Sequence, residues 1–422
     1  MGAETSPPSA SEASLSSHPL PREGGGGDGQ SISPKGALAP LLSWKGGRGE
    51  SSPVRGSAAY DGNRTVAIVG GGPAGMSLAL ALRLHGIDAE IFEARERAAV
   101  RRDSRVLALS DGARQILDWL GVWSGLPATP IQTIHISQRG GFGRTLLRAS
   151  ELEVKALGWV LPASDLIAAL DLAVGAASIV YRDNAKVGAG DTARYALTAF
   201  AEGVVASGAG EMRDYAQHAV LCNVSVAEPH CNVAWERFTD EGPVALLPLG
   251  EAYSVVLTCA DEVLEEVKSL DDAAFLALLQ RRFGTRHRFV ATTPRTAYPL
   301  GLRYRRDTTG ERQVWLGNAA QTLHPVAGQG FNLALRDIWE LAQQLGVAAD
   351  PGAPEVLAAY ARGRRIDRRG AIGFTDVLID AFASDFAPLR HVRGAGLLAL
   401  DLLPALRGFV ARRMIFGARA WP

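Results

Sequence analysis

Cysteine is scarce in this chain: three among 422 residues, Cys222, Cys231 and Cys259. An odd count with no C-x-x-C spacing builds neither a disulfide framework nor a thiolate metal site, and it fits free thiols in a reducing compartment. Net charge is missing too, because 44 basic residues balance 44 acidic ones. Nothing in that balance attracts nucleic acid, so no nucleic-acid partner is expected. No apolar run is long and charge-free enough to span a bilayer. No His, Cys, Asp and Glu grouping has metal-ligand spacing, so no metal is expected either. The N-terminus lacks a basic start followed by an apolar core, which excludes a secretory pattern. What is present is ample apolar material, 47% of residues, enough for one large or two interlocked domains.

Residues 1–63 stand apart. They are rich in Ser, Gly, Pro and Ala and include a GGGG run at 24–27. Such a segment buries little apolar surface, so it is expected to be a disordered low-complexity tail or a misassigned start. A targeting address is the alternative. Glu4, Glu12, Glu23 and Asp28, together with few arginines, count against it.

Chemistry begins directly after this tail. Residues 65–69, TVAIV, form a short β-branched run that leads into Gly70-Gly71-Gly72-Pro73-Ala74-Gly75 and then into MSLALALRLHG. This order reads as strand, G-x-G-x-x-G turn and helix. Gly70 allows the tight turn, Gly72 lets backbone approach a pyrophosphate, and Gly75 lets helix and strand pack closely. The helix N-terminus then faces the phosphates. A second strand at 89–92 ends at Glu93, about 20 residues past the glycines, where a carboxylate accepts from an adenosine ribose. The motif implies a dinucleotide and leaves FAD and NAD equally open.

A second segment lies about 250 residues downstream: LGNAAQTLHPVAGQGFNLALRD, residues 316–337. A strand at 313–316 leads into a glycine-punctuated loop and then a helix expected to start near Asn332. Gly328 and Gly330 flank Gln329, so backbone comes close to a ligand there. Pro325 stiffens the approach. The first helical turn points unpaired N–H groups at whatever the loop holds.

Both segments resemble the FAD-dependent aromatic hydroxylases with the p-hydroxybenzoate hydroxylase fold. More narrowly, GNAAQTLHPVAGQGFNLALRD is similar to the ubiquinone-biosynthesis hydroxylase family. So are RVLALSDGARQILDWLGVW at 105–123 and the stretch from DYAQHAV to ERFTDEGPVALLPLG across 214–250. The resemblance runs from about residue 65 to the C-terminus. It implies an α/β fold: a Rossmann-like FAD-binding domain interleaved with an antiparallel β-sheet substrate domain, and C-terminal helices. The FAD-binding part spans 64–355, its substrate part falls at about 130–160 and 215–300, and 356–422 is helical.

The activity so implied is a monooxygenase. NAD(P)H reduces FAD, reduced flavin and molecular oxygen give a C4a-hydroperoxide, and its distal oxygen passes to an electron-rich ring, here a lipid-soluble polyprenyl phenol. Under this resemblance Gly70, Gly72, Gly75 and Glu93 hold the adenosine and pyrophosphate, and Arg105 contacts the flavin side. Asn318 stands where the wider fold has Asp, as the ubiquinone-type subgroup does. Pro325, Gly328, Gln329, Gly330, Phe331 and Asn332 lie along the isoalloxazine, where N–H donors stabilise negative charge on the reduced ring. His324 is a candidate base, with a structural hydrogen bond as its alternative role. The family's Ala-Asp-Gly motif corresponds here to Ala201-Glu202-Gly203, which keeps the charge but changes its reach, and so bears on nicotinamide handling. Another aromatic hydroxylase of this fold, a flavin reductase and a non-catalytic flavoprotein subunit of a biosynthetic complex remain as alternatives.

The other expectations concern local structure. A helix is expected at 161–174, strands within 215–257, and one helix over 261–283 with Arg281 and Arg282 near its end, as the helix dipole favours. Residues 178–200 carry no clear strand pattern. Arg362, Arg364, Arg365, Arg368 and Arg369 cluster, and GAGLLALDLLPALRGFVARRMIFG follows at 394–417. Two readings stand: a membrane-surface helix serving a lipid-soluble substrate, or an ordinary packed helix with its arginines in solvent. The chain is expected to be cytoplasmic, with the resemblance adding peripheral contact at the inner membrane and membership of a ubiquinone-biosynthesis complex.

Overall fold

The apolar run at 65–69 forms the strand Val66–Val69, whose four residues are all buried. It lies in the middle of a six-stranded sheet. The computed structural model describes residues 64–188, 190–206, 208–323, 329–383 and 387–420; the expectations for residues 1–63, His324, Pro325 and Gly328 fall outside these. In this sheet Gln313–Trp315, Leu197–Phe200, Val66–Val69, Ala89–Phe92 and Val180–Arg182 run parallel in that order, and Thr309–Gly310 closes the edge antiparallel. The fold is α/β.

Two of these strands were not legible in the sequence. Residues 178–200 hold both Val180–Arg182 and Leu197–Phe200. Leu197–Phe200 pairs on both sides, with Val66–Val69 and with Gln313–Trp315. A short strand enclosed on both faces has no need of alternation, which is why LTAF carries no period-two signal.

The helix Pro73–Leu84 follows the glycine turn with Pro73 in its first turn, where a missing N–H costs nothing. Met76, Leu78, Ala79 and Leu82 are buried in the core shared with the sheet. Cutting Leu78 back to Ala would leave a cavity costing about 2–5 kcal/mol. The helix stops at Gly86, which adopts φ +69°. There Ile87 N–H reaches Leu82 O at 3.0 Å and Gly86 N–H reaches Arg83 O at 3.0 Å, so two terminal carbonyls find partners.

A nine-stranded sheet forms the second layer. Its backbone is the long strand Glu211–Val226, which pairs antiparallel with Ala252–Ala260 and Thr296–Tyr304. Val244–Leu249, Val233–Phe238, Thr133–Gln138 and Arg144–Arg148 continue it, with Val233–Phe238 and Thr133–Gln138 parallel. Within 130–160, Thr129–Ile131 and Gly158–Pro162 instead join Val106–Ser110 in a separate three-stranded sheet. The helix expected at 161–174 is Ala163–Ala176.

The single helix expected over 261–283 is a correction. It divides into a 3-10 turn, Asp261–Val263, and the helices Leu264–Ser269 and Asp272–Phe283. The break comes at Asp271, whose carboxylate accepts from Ala274 N–H at 2.8 Å and so caps a new start.

Three helices, Pro354–Ala383, Ala387–Leu402 and Pro404–Phe416, complete the chain before a 3-10 turn at Gly417–Ala420. Here the arginine cluster departs from both expectations. Arg362, Arg365 and Arg369 are exposed, but Arg364 is buried. Its guanidinium binds Asp337 at 2.6 Å and Asp367 at 2.5 Å, and Arg336 binds Asp367 at 2.8 Å. Arg368 donates to Gln321 Oε1 at 2.7 Å, and Gln321 Nε2 donates to Asp337 at 3.1 Å. Burial would raise the Asp367 carboxyl, but Arg336 and Arg364 outweigh it and hold it at about 2. Residues 364 and 368 share one helix face, and that face is an ion-pair seam against the helix of the second glycine segment.

Candidate active site

The first glycine turn follows from its backbone. Gly70 adopts φ +110°, and a Cβ there would lie 2.7 Å from the Ala201 carbonyl and 2.8 Å from Glu202 N. A Cβ on Gly75 would run into Gly70 O. Gly72 has open space around it and is the N-cap of Pro73–Leu84, with no side chain bonded to the helix's first N–H groups. An open cradle at an uncapped helix start fits a pyrophosphate.

Gly71 is constrained as well, which the motif does not ask for. A Cβ there would meet the Tyr181 hydroxyl and Glu93 Cβ. Tyr181 O–H donates to Gly71 O at 3.1 Å, and Glu93 accepts from Gly71 N–H at 2.8 Å. Burial, with Glu93 nearby, pushes the Tyr181 hydroxyl up to about 12, so it stays a donor. Glu93 also accepts from Arg95 N–H at 3.0 Å and Arg95 Nε at 2.8 Å. Burial raises the Glu93 carboxyl, but Arg95 and the two amides outweigh it and hold it below its ordinary value. Arg95 Nη2 also reaches Glu93 Oε2 at 3.5 Å, so the about four acceptor positions of two carboxylate oxygens are engaged, and a ribose hydroxyl would take the place of a bond from the exposed Arg95 side chain.

Strand register brings the predicted residues together. Val69 is level with Phe92 and with Phe200, and Phe200 is level with Trp315. Gly70, Glu93, Glu202 and Asn318 therefore leave the carboxyl ends of four adjacent parallel strands, where open α/β sheets bind their ligands. Glu202 is exposed; burial of its carboxyl and the nearby Glu93 both raise it. Asn318 is half-buried in the 3-10 turn Gly317–Ala319. Gly317, at φ +53°, fits between Ala74 of the first glycine helix and Ala334 of the second. The two segments are thus neighbours in space.

The second segment's helix begins by Gln329, three residues before the expected start. Gly330 faces open space and Phe331 packs partly on the core. The Asn332 amide has a structural job. It accepts from Ser110 N–H at 2.9 Å and donates to Ala108 O at 3.0 Å, clamping the helix to the strand Val106–Ser110. Gln329 Nε2 lies 3.5 Å from Met414 O of the last helix. Arg105, at the head of the same strand Val106–Ser110, pairs with Asp103 at 2.5 Å. Sequence reasoning missed Tyr181, the Ser110 anchor and Trp315, which stacks on Phe200 at 5.3 Å with Arg305 above it at 3.9 Å. None of these belongs to a spacing motif; only proximity reveals them.

Comparison with known proteins defines the class. The FAD binding domain family matches residues 63–166 and 199–373. The ubiquinone hydroxylase UbiL of Rhodospirillum rubrum is 31% identical over 400 residues, covering 86% of this chain and 91% of that protein. The 3-demethoxyubiquinol 3-hydroxylase of Escherichia coli is 28% identical, covering 81% and 96%. The solved structure of PqsL from Pseudomonas aeruginosa, a probable FAD-dependent monooxygenase, superposes with a TM-score of 0.64 at 18% identity, covering 79% of this chain and 98% of that one. At that identity the likeness speaks to fold. The chain belongs to the FAD-binding monooxygenases and, within them, to the ubiquinone-biosynthesis hydroxylase family. It is an FAD-dependent aromatic monooxygenase.

Proposed function

We propose that this enzyme hydroxylates the ring of a polyprenyl phenol in ubiquinone biosynthesis, with NAD(P)H as reductant and molecular oxygen as co-substrate. The observation that carries the reading is the convergence of both glycine segments at the carboxyl ends of one parallel sheet, in a chain that aligns with ubiquinone hydroxylases over most of its length. Gly70, Gly72 and Gly75 would hold the pyrophosphate of FAD, Glu93 its ribose, and Asn318 the region between. Gln329, Gly330, Phe331 and Asn332 bring a helix start to the ring, with His324, Pro325 and Gly328 in the loop before it. When bound, FAD supplies the oxygen activation. The protein positions the ring, offers N–H donors and excludes water. Arg105 and Glu202 flank this arrangement, and Glu202 is assigned to nicotinamide positioning.

The lipid-soluble character of the substrate has a counterpart in the C-terminal helices. Val392, Leu402 and Leu403 are 64%, 66% and 52% exposed, and Leu406 and Phe409 are exposed beside them. Among the described residues no single helix is long and apolar enough to cross a membrane, and His391–Leu402 meets Pro404–Phe416 at 98°. An apolar elbow with arginines on the same helices suits peripheral attachment to the inner membrane, where a complex of pathway enzymes would also assemble.

The test is aerobic turnover of purified protein with FAD, NADPH and a farnesylated phenol in liposomes. The expected result is a product heavier by one oxygen atom, with binding to liposomes weakened by Leu402→Ser and Leu403→Ser together. NADPH consumed with peroxide alone, for every prenylated phenol tried, would refute the substrate assignment.

A further inference from the structure

The nine-stranded sheet has two faces filled in opposite ways. On one, the rings of His135 and Trp235 lie 4.5 Å apart, Trp235 and Phe283 5.7 Å, and Tyr253 and His287 5.3 Å, under the helix Asp272–Phe283. The other face takes the alternate residues of the same strands: Ile134 and Ile136, Ala234, Leu247, and Ala245. In the middle of that apolar row stands Glu236, level with Ile136 on one side and Ala245 on the other. Ala234 and Ala245, its neighbours on this face, are both small.

Glu236 is half-buried, and its carboxyl is closely surrounded by protein. No hydrogen bond reaches its carboxylate among the described residues. Burial alone pushes it up to about 7. The elements over this face carry charges that are engaged elsewhere. Asp103 holds Arg105, Glu151 holds Arg148 and Arg407, Asp401 accepts from Leu146 N–H, and Arg412 donates to Leu152 O. His135, Arg237 and Arg144 project from the opposite face by strand alternation. A buried carboxylate without a partner is costly, and sites that tolerate one are enriched in function.

What closes over Glu236 connects it to the cofactor loop. Ile134, Ile136, Ala234 and Leu247 share one apolar cluster with Val106, Ala411, Ile415 and Phe416. Val106 begins the strand that clamps Asn332, and Ala411, Ile415 and Phe416 lie on Pro404–Phe416, the helix whose Met414 O meets Gln329. The face that carries Glu236 therefore lies against the elements that carry the second glycine segment.

We propose that Glu236 is a catalytic residue that contacts the substrate ring's hydroxyl group and takes its proton. This rests on the aromatic-hydroxylase reading and deepens it. As the ring carbon attacks the electrophilic oxygen that bound FAD would supply, a C–O bond forms and that oxygen's O–O bond breaks, its second oxygen leaving on the flavin side; the phenolic O–H bond breaks, its proton moves to a Glu236 Oε, its electron pair supplies the ring, and the proton then lost from the attacked carbon restores the aromatic ring while the flavin-side oxygen is protonated. A free phenol near 10 and an acid near 7 do not exchange the proton fully at rest. The transfer therefore accompanies the attack, as general-base catalysis requires.

Glu236→Gln preserves shape and removes the base. With the FAD-loaded enzyme and a farnesylated phenol, flavin content and melting temperature at pH 6 are expected unchanged. Product formation is expected to fall about 100-fold while NADPH oxidation continues into peroxide. The wild-type rate of product formation should climb through about pH 7, and the variant should lose that limb; Glu236→Asp should restore part of both. A second readout needs no turnover: infrared difference spectra, where adding the phenol at pH 6 should perturb a carboxyl C=O band present in wild type and missing in Glu236→Gln. Equal product rates and the same pH limb in the variant would overturn the proposal. So would an unperturbed carboxyl band in an enzyme that makes product. A perturbed band without product in the wild type supports the contact and counts against the hydroxylase substrate assignment instead.

Discussion

The six-stranded sheet and the nine-stranded sheet place their chemistry differently. In the first, Gly70, Glu93, Glu202 and Asn318 gather where parallel strands end, and what they would offer the proposed cofactor is mostly backbone: an open turn, a helix start, a close approach. In the second, the chemistry sits on a face, and side-chain alternation puts Glu236 on one side and His135 on the other. Strand ends impose fixed spacing on glycines, so they leave a motif in the sequence. A strand face imposes only a period of two, which any half-buried strand shares. A cofactor site of the first kind is readable from one chain; a substrate face of the second kind is readable only once strands are in register.

This difference is open to attack, most severely at the strand ends. Gly70→Ala combines a positive φ with a clash against the Ala201–Glu202 backbone. The variant should purify without flavin absorbance and not take up added FAD. Retention of full flavin would mean that the turn is not backbone-limited. Next in size is the seam behind the second glycine segment. Arg364→Met leaves Asp337 and Asp367 buried without their shared cation, a loss of about 3–5 kcal/mol in unfolding free energy. Denaturant titration measures it.

The sheet face gives a smaller, pH-dependent effect. Burial, with Arg286 and Arg144 adding, lowers His135 to about 4. Its folded value lies below its unfolded one, so the stability it contributes is fully present above about 6.5 and is lost as pH falls through about 4. The loss should be on the order of 1–3 kcal/mol, visible as a melting temperature that drops between pH 7 and pH 4 and drops less in His135→Phe. The smallest effect is expected at Glu202→Gln. Its backbone, not its carboxylate, abuts Gly70, so FAD affinity should change by less than about twofold. The rate of flavin reduction by NADPH in the same variant then isolates any nicotinamide role.

Legibility follows the same division. The strand, turn and helix at 66–84 were readable because glycine spacing and apolar content agree there. Leu197–Phe200 was not, since a strand buried on both faces carries no alternation. Arg364 and Arg368 were invisible as core residues: a cluster of arginines looks solvated until Asp337 and Asp367 are seen to face it. Glu236 sits inside a stretch that carried the family resemblance, yet its role depends on Ala245 and Ile136 being its neighbours, and those come from other strands. Asn332 was placed at the ring by motif, whereas its side chain turns back to Ser110 and Ala108.

The last described turn has a consequence for how the protein is made. Ala418 N–H donates to Asp367 at 2.9 Å, and Gly417 packs so closely on Arg336 and Asp367 that a Cβ would not fit. The seam that backs the second glycine segment is therefore finished by residues made long after the first glycine turn. At about 5–20 residues per second, the first glycine turn waits roughly twenty seconds to a minute for its counterpart to be locked. During that interval the nascent chain presents the first glycine turn without the seam that backs its proposed counterpart.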